Sequence, residues 1–360
     1  MRPTRLEESL MSVGTNGAVL PGVNASQRAV LASDLSVSYL DHASGREERV
    51  LSGVNIALGR GDILGVVGSA GSGKSTLGRV LSGRSSRGRA WPKISGGSLE
   101  VAGMDLRFPS RDTKRRVDLD IGYLAENSGN ELRNDLTIAE NIAEPILSRD
   151  RDFDRRKLGR AAAMLIDAVD LELGILNRFP FECSKGQRQR IAFAQALVVE
   201  PRVLIIDEPA QGVDLIARPA LFTLLERINL ARECTMVIMS HDLATIERLT
   251  SNIIVLDQGM QVGQGEIEEV LRVSDYPYIR RMAQAREAAR TELPGTISKD
   301  TLAAMDLVAE GLFGDAADEA EARERTRRAQ EELVAQRAEF ARFQQPNGDC
   351  LLYTSDAADE

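Results

Sequence analysis

The sequence predicts an α/β fold built on a mainly parallel core sheet, and three observations carry that prediction. The glycine-rich segment Gly68-Ser-Ala-Gly-Ser-Gly-Lys-Ser75 lies between an apolar run, Ile63 to Val67, and a segment of helical pattern, Leu77 to Leu81. A second apolar run, Val203 to Ile206, leads into Asp207-Glu208-Pro209. A third, Met236 to Met239, leads into Ser240-His241-Asp242. Uninterrupted apolar runs of this length fit strands buried on both faces, and in such sheets ligands sit at the C-terminal strand ends.

The glycines of the first element let the backbone curl with its N–H groups inward, a nest for phosphate oxygens at the positive end of a helix. Gly68, Ser69, Gly71, Ser72 and Gly73 form that nest, and Thr76 closes the binding segment. Lys74 would reach the β- and γ-phosphates, and Ser75 would place its hydroxyl on Mg²⁺. At the second strand end, Asp207 would hold Mg²⁺ through water while Glu208 polarises an attacking water. His241, one of two histidines, ends the third strand within reach of a γ-phosphate. The other, His42, lies in a polar loop and reads as solvent-exposed. Tyr39 ends the alternating pattern Leu35 to Tyr39; its ring suits adenine stacking or core packing, and the residues alone leave both open.

With 360 residues the chain is long enough for two domains, or for one large α/β domain with an appendage. Its 43% hydrophobic and 28% charged residues are those of a soluble globular protein. The net charge of -9 argues against a general nucleic-acid binder, which carries a basic surplus to displace counterions. No apolar run approaches the length of about 18 residues that crosses a bilayer, so a membrane role requires partner subunits. Residues 1–27 hold no apolar stretch of signal-peptide length and read as a mobile leader. The three cysteines have no metal-ligand spacing; Cys183 and Cys234 read as small buried fillers in a reducing compartment.

Toward the C-terminus, 286–349 reads as a charged, largely helical extension. Within it Leu333, Phe340 and Phe343 are the few large apolar residues between Glu319 and Gln345. The segment 350–360, CLLYTSDAADE, matches codon by codon the translation of a transposase-type sequencing adapter and is set aside as non-native. The reading frame is expected to have been cut near Asp349, with the natural C-terminus further on. Asp356, Asp359 and Glu360 fall in that segment, so the remainder stays acidic at -6.

The stretch Phe181 to Phe193, FECSKGQRQRIAF, admits three readings, and taken alone it favours the plainest, a solvated, well-capped helix. Lys185, Arg188 and Arg190 could grip nucleic-acid phosphates. Alternatively, Ser184 and Gln187 form a capping box, and the helix that follows carries Phe193, Ala196 and Leu197 on one face. Its capped N-terminus offers free N–H groups and partial positive charge to an anion. Because the glycine loop already surrounds its own nucleotide, this second anion site is most economically completed by another domain of the same kind. The arginines lie beyond the cap, where they can pair with carboxylates, which favours the phosphate reading.

Together these residues resemble the ATP-binding cassette (ABC) family, from about Val30 to Ala285. Gly68 to Ser75 is similar to its Walker A motif, Val203 to Glu208 to its Walker B, and Cys183-Ser-Lys-Gly-Gln187 to its signature, usually LSGGQ. Gly212-Val-Asp214 occupies the D-loop, His241 the switch histidine and Tyr39 the adenine-stacking position. The resemblance implies a P-loop NTPase cassette at 28–285: a mainly parallel core sheet, an antiparallel β subdomain and an α-helical insertion at about 127–180. Ala161, Met164, Leu165, Ala168 and Val169 are expected as the apolar stripe of an insertion helix, beside the groove where family members receive a transporter helix.

What the resemblance implies chemically is hydrolysis of ATP with Mg²⁺. Glu208, His241, Lys74 and Glu126 are the expected catalytic residues, and Ser75, Asp207 and Glu126 the metal-binding ones. ATP would lie between the Walker motifs of one cassette and Ser184, Gly186, Gln187 and Asp214 of a second. The implied partners are that second cassette, transmembrane permease subunits and an extracytoplasmic solute-binding protein, with no nucleic acid. The implied location is the cytoplasmic face of the cell membrane. Leu136 to Pro145 and Asp275 to Arg280 are similar to segments of oligopeptide, dipeptide and nickel importers. The alternatives are a soluble cassette ATPase acting on RNA, ribosome or DNA, and the cassette of an exporter. Some relatives carry a C-terminal iron–sulfur cysteine cluster, but only Cys350 follows Cys234, so no cluster is expected.

Two departures from the family pattern matter. Glu126 stands where the family has its Q-loop glutamine, and a unit charge about 5 Å from a γ-phosphate costs about 3 kcal/mol at an effective dielectric near 20. Bound Mg²⁺ would offset much of that. Lys185 replaces the first signature glycine, so one departure bears on this chain's own site and the other on its partner's. The expectation is a heterodimer with unequal sites.

Overall fold

The computed structural model describes residues 28–40, 46–84, 92–213 and 218–291. The leader, His42, Asp214, most of the charged extension and the adapter-like segment lie outside the described residues. The described elements are β1 (Arg28–Leu40), β2 (Glu47–Gly59), β3 (Ile63–Gly68), α1 (Lys74–Leu81), β4 (Lys93–Val101), β5 (Met104–Asp105), α2 (Arg111–Asp120) and β6 (Ile121–Leu124). There follow α3 (Ile138–Leu147), α4 (Arg155–Ala168), α5 (Lys185–Leu197), β7 (Val203–Asp207), α6 (Arg218–Arg232) and β8 (Thr235–Ser240). The last are α7 (Leu243–Glu247), β9 (Asn252–Asp257), β10 (Met260–Glu266), α8 (Ile267–Val273) and α9 (Pro277–Thr291).

The strands follow the order β5-β4-β1-β2-β10-β9-β3-β8-β7-β6. From β9 to β6 all pairings are parallel, and β3, β7 and β8 are buried almost throughout, as their continuous apolar runs require. β1, β2, β4 and β5 pair antiparallel, and β10 joins the two parts through Met260 and Ser52. The core is mainly parallel with an antiparallel β portion, as expected. α1 starts at Lys74, earlier than the sequence pattern indicates, because Gly73 takes φ +102° as its N-cap and the loop residues themselves begin the helix.

Between β6 and β7 the chain is helical. Thr137 and Glu140 form a reciprocal capping box on α3, and Asp154 caps α4. The apolar face of α4 is rotated from the expected stripe. Leu158, Ala161, Ala162 and Ile166 are buried with Val169, whereas Met164, Leu165 and Ala168 are half-buried. Leu158, Ala162 and Ile166 recur at helical spacing and face the core together with Ile138, Ile142 and Ile191.

The basic stretch on α5 is not a surface patch. Arg188 donates to the Cys183 carbonyl at 2.6 Å, and Arg190 donates to the carbonyls of Val169 and Asp170, which end α4. Backbone carbonyls are the nearer partners, and for Arg190 they are the open carbonyls that end a helix; the carboxylate pairing expected from sequence is present as the longer ion pair of Arg190 with Asp170. Cys183 and Cys234 are both buried free thiols, and burial pushes Cys234 up to about 12. Arg190→Met strands the buried Val169 carbonyl, while that of exposed Asp170 can turn to water, and is expected to lower unfolding stability by about 2 kcal/mol in chemical denaturation. Nucleotide binding by the folded variant should be unchanged.

Candidate active site

The C-terminal ends of the parallel strands form one row of polar residues. Leu124 pairs with Ile206, so Ala125 and Glu126 continue beside Asp207 and Glu208. Asp207 pairs with Met239, ahead of Ser240 and His241, and Ser240 pairs with Val67 at the entry to the glycine loop. Residues scattered over much of the sequence thus converge because parallel strands end in register.

The glycine loop is shaped by close approaches. A Cβ on Gly68 would lie 2.4 Å from the Leu256 carbonyl and 2.5 Å from Ser72 Oγ, and one on Gly73 would lie 2.5 Å from Leu51 Cδ2. Gly71, at φ +78°, has nothing within 4 Å of that position, so this is the open side of the loop. Below it the tight β9–β10 turn acts as a brace. Gly259 N–H donates to the Ser72 carbonyl at 3.2 Å, and the Gly259 carbonyl accepts from Ser52 N–H at 2.9 Å.

Lys74 folds back onto this loop, its Nζ donating to the carbonyls of Gly68 at 2.7 Å and Ser69 at 2.9 Å. Burial holds its pKa below the usual lysine value, while Glu208, Asp207 and Glu126 oppose that shift. Asp207 is 2% exposed and accepts a hydrogen bond from the Ser75 side chain, but its Oδ1 has no partner. Burial raises its carboxyl above the usual range, and the charges of Glu208 and Glu126 add to this.

Glu208 is the most tightly held carboxylate of the row. Its Oε2 accepts from Ser240 Oγ at 2.9 Å; its Oε1 accepts from the His241 backbone N–H at 2.9 Å and meets His241 Nδ1 at 2.8 Å. The Glu208 backbone takes φ +54°, a costly conformation for a non-glycine residue, and its N–H is tied to the Met239 carbonyl at 2.8 Å. The His241 side chain is 68% exposed, so the imidazole sits at the mouth of the site. Tyr39 is half-buried, with its hydroxyl 3.3 Å from Thr76 Oγ1 and accepting from Arg79 at 3.2 Å. Its ring therefore stands beside the start of α1.

Ser184, Gly186 and Gln187 sit apart from that row, at the N-terminus of α5. The capping box is present: Ser184 Oγ accepts from Gln187 N–H at 3.1 Å, and Gln187 Oε1 accepts from Ser184 N–H at 2.8 Å. Ser184 and Lys185 are exposed while Gly186 is buried, so the capped end faces outward. Lys185 extends alongside Gly212, where a Cβ would meet its Cε at 3.6 Å. Asp214 lies outside the described residues, so only the start of its loop is placed.

Sequence reasoning missed three supports. Ser240 had no role assigned, although its place before His241 at a strand end put it within reach of Glu208. The Gly259 brace was hidden because the turn contacts the loop only in three dimensions. The third support is Gln189, whose Oε1 accepts from Gly129 N–H at 3.1 Å; this ties the segment after Glu126 to α5, closely enough that a Cβ on Gly129 would lie 2.7 Å from Gln189 N.

Among the described residues no group of three or more His, Cys, Asp or Glu side chains is arranged to hold a metal ion unaided. The orphaned Asp207 Oδ1 beside the Ser75 hydroxyl nevertheless fits Mg²⁺, which commonly takes one or two protein oxygens and completes its shell with phosphate and water. The same carboxylate destabilises the protein without ligands. Because its folded pKa is raised, this penalty is present above that pKa and relieved as pH falls through it. At neutral pH Asp207→Asn should therefore melt about 2 °C or more above the parent without nucleotide and metal. Differential scanning calorimetry checks this, and the difference should shrink in acid.

Comparison with known proteins places this geometry in a family. The family model described as ABC transporter matches residues 51–211. The oligopeptide transport ATP-binding protein OppF of Salmonella typhimurium is 32% identical over 238 residues, 66% of this chain and 69% of that protein. The di/tripeptide transport ATP-binding protein DppF of Pseudomonas aeruginosa is 29% identical over 240 residues, 67% of this chain and 72% of that protein. Among solved structures, the ATP-binding cassette MJ0796, in a dimeric post-hydrolysis state bound to ADP and Pi, has a TM-score of 0.59 at 23% identity. That match covers 66% of this chain and 98% of the other, and it establishes the fold. The relatives' transport names, with a methionine import ATP-binding protein of Pseudomonas savastanoi among them at 29% identity over 241 residues, 67% of this chain and 69% of that protein, favour an importer over the soluble and export alternatives. The chain belongs to the ABC transporter family, as an ATP-binding, ATP-hydrolysing subunit of the importer type.

Proposed function

We propose that this chain hydrolyses ATP to power uptake of peptides or a similar small solute through separate permease subunits, working at the cytoplasmic face of the membrane. The observation that carries the reading is the Glu208 carboxylate, fixed by Ser240 and His241 one residue from Asp207 and electrostatically coupled to Lys74. The similarity to oligopeptide and di/tripeptide transport proteins supports the solute class. A solute-binding protein outside the membrane would deliver the cargo. No helix among the described residues is long and apolar enough to cross a membrane, so the conduit is assigned to partners.

In this mechanism the N–H groups around Gly71 receive phosphate oxygens and Lys74 exchanges its two carbonyl acceptors for the outer phosphates. Tyr39 stacks on the adenine. Glu208 orients the attacking water and takes its proton, and the hydrogen bonds from Ser240 and the His241 backbone keep that carboxylate aimed. His241 reaches the γ-phosphate from the mouth of the site. Mg²⁺, held through Ser75, Asp207 and Glu126, would neutralise charge on the phosphates when bound. A second cassette packs head-to-tail, bringing Ser184, the Gly186 N–H, Gln187 and Asp214 to the first cassette's nucleotide. Closure on ATP and opening after hydrolysis drive the permease. Glu126 and Lys185 depart from the usual residues at opposite ends of this arrangement, which favours a heterodimer with unequal sites.

Glu208→Gln should bind ATP and remain as a closed dimer, with turnover down by about three orders of magnitude; gel filtration and phosphate release check this. Undiminished turnover would refute the role of Glu208. Ser240→Ala loosens the carboxylate without removing it. Its kcat should fall about tenfold with KM little changed, measured in steady state.

A further inference from the structure

We infer that Glu126 makes nucleotide binding at this chain's own site depend on a divalent cation: ATP is accepted with its metal, and metal-free ATP is excluded. The inference rests on the reading that ATP occupies the Lys74 cradle. It deepens that reading by assigning a selecting role to one residue.

Glu126, Asp207 and Glu208 end two adjacent parallel strands, with Leu124 and Ile206 in register just before them. Lys74 is the ammonium set among them, and its Nζ is already shared between two loop carbonyls. Arg79, the nearby guanidinium, donates to the Tyr39 hydroxyl. Before any ligand arrives the cradle holds more negative than positive charge. A triphosphate adds further negative charge in a partly buried space, where screening is weak.

A second observation identifies what corrects the imbalance. Asp207 is 2% exposed, yet its Oδ1 has no partner, so a buried acceptor awaits a positive group beside Ser75. Asp207 and the Ser75 hydroxyl offer a Mg²⁺ ion a small part of its usual six oxygens, and the phosphate oxygens of a nucleotide in the cradle are suited to supply others. Metal and nucleotide therefore load together. Each additional carboxylate strengthens that coupling, because it repels bare ATP while attracting the cation. Glu126, half-buried in the turn after β6, is the carboxylate that an amide can replace without touching Asp207 or Glu208.

The test is calorimetric titration of the full chain with a non-hydrolysable ATP analogue, in excess Mg²⁺ and in EDTA. It compares the parent, Glu126→Gln, the charge-retaining Glu126→Asp, and the exposed-strand control Glu100→Gln. The parent should bind the metal complex about 100-fold or more tighter than the bare analogue. Glu126→Gln should improve metal-free binding about tenfold or more and change metal-loaded binding far less, the size expected for one nearby charge. Glu126→Asp and Glu100→Gln should keep the parental ratio. Mn²⁺ followed by electron paramagnetic resonance should be retained by the parent with the analogue and released without it. The inference is overturned if Glu126→Gln leaves metal-free binding unchanged, or if both conditions shift in parallel. A parent that binds in neither condition overturns the ATP-cradle reading itself, an outcome distinct from a parent that binds without discriminating.

Discussion

The ammonium of Lys74, held on the carbonyls of Gly68 and Ser69 amid three carboxylates, is the interaction around which the rest of the molecule is arranged. Its position requires a loop that turns where only glycine fits, at Gly73, and packs where only glycine fits, at Gly68. The loop in turn rests on distant chain. Leu51, from the antiparallel β2, sets the limit at Gly73, and the Gly259 turn ties Ser72 to Ser52. The antiparallel portion, continuous with the parallel strands in one sheet, thus also supports the phosphate loop.

Around that ammonium the protein accepts local costs that a stability-driven design would avoid. Asp207 leaves an oxygen without a partner in a buried position, and Glu208 is held at positive φ. Both costs are borne by the surrounding sheet, whose central strands are buried along nearly their whole length. Strained or repelled groups survive where such a frame over-determines them, and they concentrate where charge must be ready before the ligand arrives. The ATPase activity of the family and the poor ligand-free electrostatics of this site share one origin.

Much of this was legible in the sequence because it is local. The apolar runs before Gly68, Asp207 and Ser240 are strands within a residue of where the pattern ends them, and the Ser184–Gln187 capping box is present as read. Contacts that join distant segments were not legible. Arg190 reads in the sequence as a partner for carboxylates, yet it chiefly closes the end of α4 through carbonyls brought to it by packing. The face of α4 was misjudged by part of a turn because Ala-rich periodicity around Ala161 to Ala163 does not distinguish neighbouring faces; burial of Leu158 and Ile166 does. The Ser240 support for Glu208 and the Gln189 support for Gly129 needed coordinates, since a polar residue at a strand or helix end has many possible partners.

The central claim is that ATP is held in the cradle centred on Lys74. Calorimetric titration of the parent and of Lys74→Ala with MgATP addresses it most directly. The account predicts saturable binding to the parent and loss of most of that affinity in the variant, with the fold intact by circular dichroism. Equal affinity in a folded Lys74→Ala protein would contradict it.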